Sequence, residues 1–354
     1  MADMAVTDEI SVGVVGCGRC AVFGHLPAIG RLNDLFRVTA VCDLEKVRRE
    51  RVTRDFPDAR HYRRVEDMVD DPDIDLVLIA SPTLDHESYA LECLNRGLWT
   101  VCETPVALSH EGALVLRGAS LKAGRRLIAA TPALFSNEFR LASMVRMRHR
   151  IGDIYDIRIR QGTYHRRDDW QSTSKRGGGA ANFAAQEPVL QALSLLKAPP
   201  VQMWSETKKI IALGDAEDYV RVLLRTADGI TADIEANSAV VRKEEPAIEL
   251  RGTRGSFSVM HGASAGRYCI IDPAQRFRNH RSSVALPPLE MPEESIRVVE
   301  NQVALENPMP AYECFWRAVY DTVRMEKPFP VDFELVAELS RYIGIVRKSP
   351  PIAI

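Results

Sequence analysis

The chain has 354 residues, of which 46% are apolar and 27% are charged, and its formal net charge at pH 7 is −2. This length accommodates two domains, and the charge shows no basic excess of the kind that binds nucleic acid. No apolar run is long enough to span a membrane. The acidic amino terminus lacks the apolar stretch of a signal peptide, and the seven cysteines are scattered. We therefore expect reduced thiols and a cytoplasmic location.

A glycine-rich turn follows the first predicted strand, an apolar run over residues 10–15. It reads Gly16-x-Gly18-x-x-Ala21 and leads into a predicted helix. Gly16 permits the tight turn, Gly18 lets the backbone approach a pyrophosphate, and Ala21 lets the helix lie near the strand. Unpaired N–H groups at the start of that helix then face the phosphates. We therefore predict a loop that contacts a dinucleotide through Gly16, Gly18, Arg19 and Cys20.

Cys17 and Cys20 in this loop also match Cys-x-x-Cys, a spacing found in redox pairs and in half of a zinc site. The sequence contains no second pair of this spacing to complete four metal ligands. We interpret both cysteines as positions of the phosphate loop and expect no metal site.

A second predicted strand ends in the carboxylate of Asp43. In a dinucleotide-binding βαβ unit, an acid at this place accepts hydrogen bonds from the adenosine ribose hydroxyls. Leu44 and Glu45 come next, so no arginine or serine stands ready to take a 2′-phosphate. This pattern favours NAD over NADP. The structural alternative is an ordinary surface acid after a strand.

Two further apolar strands end in polar loops. Residues 74–80 lead into Ser81-Pro82-Thr83, and residues 99–102 lead into Glu103-Thr104-Pro105. Helical segments separate the strands, and this alternation predicts an open, doubly wound parallel sheet. Ligands in such sheets sit beyond the carboxyl ends of the strands. We therefore expect four loops to converge on one crevice: 16–21, 43–44, 81–86 and 103–105. Residues 127–130 fit a last strand, so we place the nucleotide-binding domain at 1–130.

Residues 131–354 have a different pattern, in which strands with alternating apolar and polar residues predominate. The predicted strands are 154–161, 201–207, 217–225, 230–239, 247–251, 256–260 and 269–271. The predicted helices are 136–150, 180–196, 311–325 and 332–347. This order indicates an α+β domain with a large, mostly antiparallel open sheet. Because a one-sided sheet needs a cover, we expect its open face to form a homodimer or homotetramer.

In this order and spacing, the motifs resemble the glucose–fructose oxidoreductase / inositol dehydrogenase / MocA family along the whole chain. The matching segments are 16–21 with Asp43, 81–83 with His86, 97–105, 150–154, the glycines 177–179 and 251–256. The resemblance implies a Rossmann domain joined to an α/β domain, with bound NAD or NADP. It also implies oxidation or reduction of a sugar, polyol or related small molecule. The cofactor contacts then extend to Ser81, Pro82, Thr83, His86 and Glu103.

The catalytic residues of the resembled family are replaced in this chain. The family loop Glu-Lys-Pro is Glu103-Thr104-Pro105 here, and Thr104 carries no ammonium group. After the glycine triplet the family places an Asp and a His four residues apart. Those positions are Phe183 and Glu187 here, still on one helix face but without the nitrogen base.

One interpretation keeps hydride transfer with other groups. Glu187 would act as a general base, because an apolar nicotinamide and Phe183 would raise its pKa by desolvation. Thr104, Tyr164 and His165 would be polar partners, and Lys175 would replace the missing ammonium. The structural alternatives are a helix-surface carboxylate at 187 and a loop histidine at 165.

Two other functions stay open at this stage. The protein would be a catalytically silent dinucleotide-binding protein, or an NAD-dependent transient-redox lyase or glycosidase whose base is Tyr164 or Glu187. We favour an NAD-dependent oxidoreductase of a sugar- or polyol-like substrate. Acid–base assistance contributes about 10²–10⁴-fold, so the replacements would slow hydride transfer without preventing it.

Overall fold

The computed structural model describes residues 9–124, 126–241, 245–277, 295–348 and 352–353. The first sheet is parallel throughout, with strand order β3-β2-β1-β4-β5-β6. Its strands are β1 (Ile10–Val15), β2 (Phe36–Cys42), β3 (Arg60–Tyr62), β4 (Leu76–Ile79), β5 (Trp99–Glu103) and β6 (Leu127–Ala130). The helices between them are α1 (Leu26–Arg31), α2 (Lys46–Val52), α3 (Val65–Met68), α4 (His86–Asn95) and α5 (His110–Lys122). The predicted doubly wound sheet is confirmed, and only the three-residue edge strand β3 had no counterpart among the predicted strands.

The central strands of this sheet are buried on both faces. All four residues of β4 are inaccessible to solvent, and so are Ile10, Val12 and Val14 of β1. Helices cover both faces of a parallel sheet, which explains why these strands read as continuous apolar runs. The strand order reverses at β1, which lies between β2 and β4. A crevice therefore opens at the carboxyl end of β1.

The second sheet has strand order β14-β13-β12-β11-β7-β10-β9-β8-β15. Its strands are β7 (Ile154–Gly162), β8 (Pro200–Lys209), β9 (Tyr219–Thr226), β10 (Thr231–Asn237), β11 (Ile248–Gly252), β12 (Gly255–Val259), β13 (Ala265–Ile271), β14 (Val298–Ala304) and β15 (Ile352–Ala353). The pairs β7–β10 and β8–β15 are parallel, and the other pairs are antiparallel. The expected large, mostly antiparallel sheet is confirmed.

Helices pack on one face of the second sheet: α6 (Asn137–Met147), α7 (Ala180–Phe183) and α8 (Gln186–Leu196). The single helix predicted over residues 180–196 is wrong, because it is interrupted at residues 184–185. Pro188 explains the interruption. Proline lacks the N–H that a helix interior requires but is tolerated in a first turn, so the helix must restart just before it.

The last two helices, α9 (Ala311–Arg324) and α10 (Phe333–Val346), return to the first sheet. Phe315 and Trp316 of α9 are completely buried in its core, and Val336 of α10 lies in the core on its other side. The domain boundary predicted between residues 130 and 131 therefore stays a proposal. It separates the two sheets, but α9 and α10, which follow it in the chain, pack on the first sheet. Among the described residues, no helix is long and apolar enough to cross a membrane.

Candidate active site

A cleft of about 550 Å³ lies where the first sheet faces α7 and α8. The loops after β1, β2, β4 and β5 meet there, as the strand order requires. The cleft lining includes these predicted residues: Gly16, Gly18, Arg19, Cys20, Asp43, Ser81, Pro82, Thr83, His86, Glu103, Thr104 and Glu187. The expected convergence of loops on one crevice is therefore confirmed.

Tyr164, His165 and Lys175 do not line this cleft. The backbone of residues 163–165 extends β7 and pairs with residues after β10, with His165 N–H donating to the Ser238 carbonyl at 2.9 Å. Both side chains are exposed there, Tyr164 by 60%. The structure thus corrects their expected place beside Glu187, because strand pairing holds them at the end of the second sheet.

The two glycines of the phosphate loop differ in what the fold requires. Gly16 has a φ of +86°, and a Cβ there would lie 2.6 Å from the backbone of Ala80 and Ser81. A Cβ on Gly18 would have no neighbour within 4 Å. Packing therefore explains the glycine at 16 but not the one at 18. The open space before Gly18 fits the close approach of a diphosphate to the backbone.

Asp43 lies at the end of β2 and is fixed by backbone donors. Its carboxylate accepts the N–H groups of Cys17 and Glu45, each at 2.9 Å. A carboxylate accepts about four hydrogen bonds, so acceptor capacity is left for ribose hydroxyls. The sequence predicted that no arginine lies close enough to Asp43 to bind the 2′-phosphate of NADP, and this prediction is wrong. The first turn of α2 brings Arg48 into the cleft lining, 3.8 Å from the Asp43 carboxylate.

His86 joins two loops of the cleft. Its Nδ1 lies 2.8 Å from the carbonyl oxygen of Pro105, and its Nε2 lies 2.9 Å from that of Ser81. The side chain is buried, and both ring nitrogens are engaged by the backbone. His86 therefore holds the loops after β4 and β5 together at the cleft, and its contact with the cofactor stays a prediction.

Glu103 is the centre of a buried hydrogen-bonded group. Its Oε1 accepts the thiol of Cys20 at 2.6 Å and Nε2 of His25 at 2.5 Å. The indole N–H of Trp316 donates to Nδ1 of His25 at 3.1 Å. An indole nitrogen is only a donor, so Nδ1 of His25 must be the acceptor and Nε2 must carry the proton. Trp316 thus fixes the tautomer in which neutral His25 donates to Glu103.

The ligating atoms of Cys20, His25 and Glu103 lie within 4.8 Å of one another, as metal ligands would. A metal would need the lone pair of His25 Nε2, and the Trp316 hydrogen bond leaves a proton on that atom. Burial and the charge of Glu103 also raise the pKa of the Cys20 thiol well above its usual range. The group therefore fits a hydrogen-bond network rather than a metal centre.

The two glutamates that line the cleft, Glu103 and Glu187, have different proton affinities. Burial alone would raise the pKa of Glu103, but the donors His25 and Cys20 outweigh it and lower that pKa. Burial and, to a smaller extent, the charge of Glu103 together raise the pKa of Glu187 to about 7, against the opposing effect of a hydrogen bond from Gln161. Two carboxyls with separated pKa values are typical of acid–base sites.

Sequence reasoning missed several residues of this site, including His25, Gln161, Tyr312 and Trp316. Tyr312, at the start of α9, lines the cleft and stacks edge-on against His25 with ring centroids 4.9 Å apart. A Cβ on Gly24 would lie 2.6 Å from the Tyr312 ring, so this glycine makes room for the tyrosine. Gly24 is visible in the sequence as a possible site of close packing. The residue that packs there, Tyr312, is 288 residues later in the chain, and only the fold brings the two together.

The fold and site define an oxidoreductase with an NAD-binding Rossmann domain. The family model of oxidoreductases with an NAD-binding Rossmann fold, GFO_IDH_MocA, matches residues 10–130, and the model of the GFO/IDH/MocA C-terminal domain matches residues 139–258. The chain belongs to the GFO/IDH/MocA family, which confirms the resemblance found in the sequence.

Relatives with named activities are distant from this chain. A scyllo-inositol 2-dehydrogenase (NADP⁺) from Bacillus subtilis is 24% identical over 256 residues, which cover 71% of this chain and 68% of that protein. Inositol 2-dehydrogenase 2 from Saccharopolyspora erythraea is 30% identical over 119 residues, 34% of this chain and 35% of its own length.

Solved structures share the fold over nearly the whole chain. A 3-ketoreductase from Actinomadura kijaniata in complex with NADP has a TM-score of 0.79 at 18% identity, covering 98% of this chain and 99% of that one. GenD2 from gentamicin A biosynthesis, in complex with NAD, has a TM-score of 0.77 at 20% identity, covering 96% and 93%.

The two loop glycines should respond differently to alanine. Gly16→Ala should destabilise the protein by about 2 kcal/mol or more, because a left-handed backbone costs about 1–2 kcal/mol and the Cβ also clashes. Gly18→Ala should leave stability unchanged within about 0.5 kcal/mol. It should weaken binding of NAD, because its Cβ occupies the space of the phosphates. Denaturant unfolding and calorimetric titration measure these effects, and equal behaviour of the two variants would contradict the assignment.

Glu103→Gln should lower the pKa of Glu187 from about 7, because the neighbouring negative charge is removed while burial remains. The carboxylate of Glu187 would then persist to lower pH. A ¹³C NMR titration of glutamate-labelled protein measures this pKa, with the signal assigned by its loss in Glu187→Gln. Cys20→Ser keeps a donor to Glu103 and is the control that should leave the titration unchanged. An unshifted Glu187 in Glu103→Gln would disprove the coupling.

Proposed function

We propose that this protein is an NAD-dependent dehydrogenase that oxidises a CH–OH group of a sugar, polyol or related small molecule, with Glu187 as its general base. The observation that carries the proposal is the position of Glu187. It lies in the cofactor cleft where the resembled family has its histidine, and burial raises its pKa to about 7. A base with that pKa is half ionised near neutral pH, as general-base catalysis favours.

The residues of the cleft divide into a binding side and a proton side. The backbone at Gly16 and Gly18 and the side chain of Arg19 would hold the diphosphate of NAD, and Asp43 would hold its adenosine ribose. When bound, NAD supplies the acceptor for the hydride. Glu187 takes the hydroxyl proton of the substrate, and Thr104 hydrogen-bonds the same hydroxyl.

The preference for NAD over NADP rests on Asp43. A carboxylate at this position accepts ribose hydroxyls and repels a 2′-phosphate. Arg48 is the residue that would favour NADP, but its side chain is directed toward the Asp43 carboxylate, 3.8 Å away. The arginine therefore partly neutralises the acid rather than forming a separate phosphate site.

Two further parts of the proposal concern the molecule as a whole. The open face of the second sheet carries Trp204 and Leu223, which are paired across β8 and β9 and exposed by 49% and 38%. This apolar pair supports a homodimer or homotetramer formed through that face.

All seven cysteines are free thiols, which supports a reducing, cytoplasmic compartment.

Glu187→Gln should lower kcat/KM by about 10²–10⁴-fold, the usual contribution of a general base. Its affinity for NAD should stay near that of the wild type, because binding depends on the first sheet. The measurement is NADH absorbance in a screen of polyols, inositols and amino sugars. Asp168→Asn, which changes an exposed carboxylate outside the cleft lining, is the matched control.

Unchanged turnover in Glu187→Gln would exclude Glu187 as the base. Failure of the wild type to bind NAD at millimolar concentration would overturn the proposed function itself.

A further inference from the structure

Glu187 lies in the wall between two cavities. A second cavity of about 240 Å³ adjoins the cofactor cleft, and both are lined by Glu187 and Tyr312. The rest of its lining comes from residues 132–138, the end of β7, the first two turns of α8, residues 247–248, His261 and the start of α9. Glu187 is therefore accessible from two sides, and only one of them is the cofactor cleft.

The residues before and after Glu187 in the chain line different cavities. Phe183, four residues earlier, lines the cleft but not the second cavity. Gln191, four residues later, lines the second cavity but not the cleft. Glu187 and Gln191 lie four residues apart on one face of α8, whereas Phe183 is the last residue of α7, so the lining changes from the cleft to the second cavity along this part of the chain.

Polar groups continue from Glu187 into the second cavity. Gln161 hydrogen-bonds the Glu187 carboxyl and lines only this cavity. Gln191 donates to the Ala133 carbonyl at 2.9 Å. Glu138 and the exposed His261 line the same cavity.

The charged groups around Glu187 differ between the two sides. On the cleft side it faces the ionised Glu103. On the other side the lining holds Glu138, His261 and Arg160, and the guanidinium of Arg160 is paired with Asp233 at 2.7 Å. A protonated carboxyl at 187 thus shares a cavity with polar side chains that include an exposed histidine.

We propose that the second cavity is the proton outlet of the active site, a water-filled passage that carries the proton of Glu187 to solvent. The inference rests on the proposed function. In that reaction the substrate O–H bond breaks and its proton goes to the Glu187 carboxylate, while the C–H bond breaks and its hydride goes to the cofactor. The C=O bond forms, and the carboxylic acid at 187 must then lose one proton per turnover.

The second cavity gives Glu187 a route to solvent that does not pass through the cleft. Substrate and cofactor fill the cleft during the reaction and exclude water from it. The second cavity is the part of the Glu187 surroundings that they leave open. The cavity would hold water, because water accepts and donates hydrogen bonds along polar linings of this kind.

The test measures proton exchange at Glu187 directly. An infrared pH-jump experiment on the full chain follows the carboxylic acid band that is lost in Glu187→Gln. Gln191→Trp fills the second cavity and should slow this exchange at least about tenfold, because bulk displaces the ordered water that relays the proton. Phe183→Trp adds bulk on the cleft side and should leave the rate nearly unchanged. Saturating NADH should leave the wild-type rate nearly unchanged as well.

Two additional variants keep the test decisive. Gln191→Met matches the size of glutamine and separates the effect of bulk from loss of a hydrogen bond. If Gln191→Trp does not fold, Gln161→Leu removes the group that joins Glu187 to the second cavity, and it should slow exchange too.

Slowing by Phe183→Trp or by NADH, with no effect of either change at Gln191 or Gln161, would overturn the proposal and assign the exit to the cleft. If NADH does not bind, the proposed dehydrogenase function fails, while the comparison without NADH still decides the route of the proton.

Discussion

The reversal of strand order at β1 is the constraint on which the site depends. With β2 on one side of it and β4 on the other, the crossover helices leave β1 in opposite directions, and a crevice opens at its carboxyl end. The glycine loop, Asp43 and the loops after β4 and β5 all lie at this edge of the sheet. The local sequence of each loop does not by itself form the cleft. The loops meet because the parallel strands all end at the same edge of the sheet.

The chemistry of the cleft depends on two carboxyl groups held in different states. His25 and Cys20 donate to Glu103 and keep it ionised, while burial and the charge of Glu103 favour the protonated form of Glu187. Trp316 acts at a distance by fixing the tautomer of His25. In the proposed mechanism a carboxyl base takes the place of the lysine and histidine of the resembled family, and its electrostatics come from residues packed against the first sheet.

Local pattern was enough to predict the first sheet and the loops that line the cleft. Strand direction, glycine spacing and the acid after β2 are all short-range signals, and the structure places each of those loops in the cleft. The break in the 180–196 helix was also readable, since Pro188 cannot occupy a helix interior. Tyr164 and His165 were misplaced because strand pairing after β7, a long-range contact, decides where they point. The Tyr312 and Trp316 contacts join the two ends of the chain, and no window of sequence contains both partners.

A crystal structure of the protein grown with NAD tests the central claim most directly. The account predicts the diphosphate against the backbone of residues 16–18, the adenosine ribose hydroxyls on Asp43, and the reactive face of the nicotinamide toward Glu187. A cleft that remains empty in excess NAD, or a nicotinamide turned away from Glu187, would contradict it.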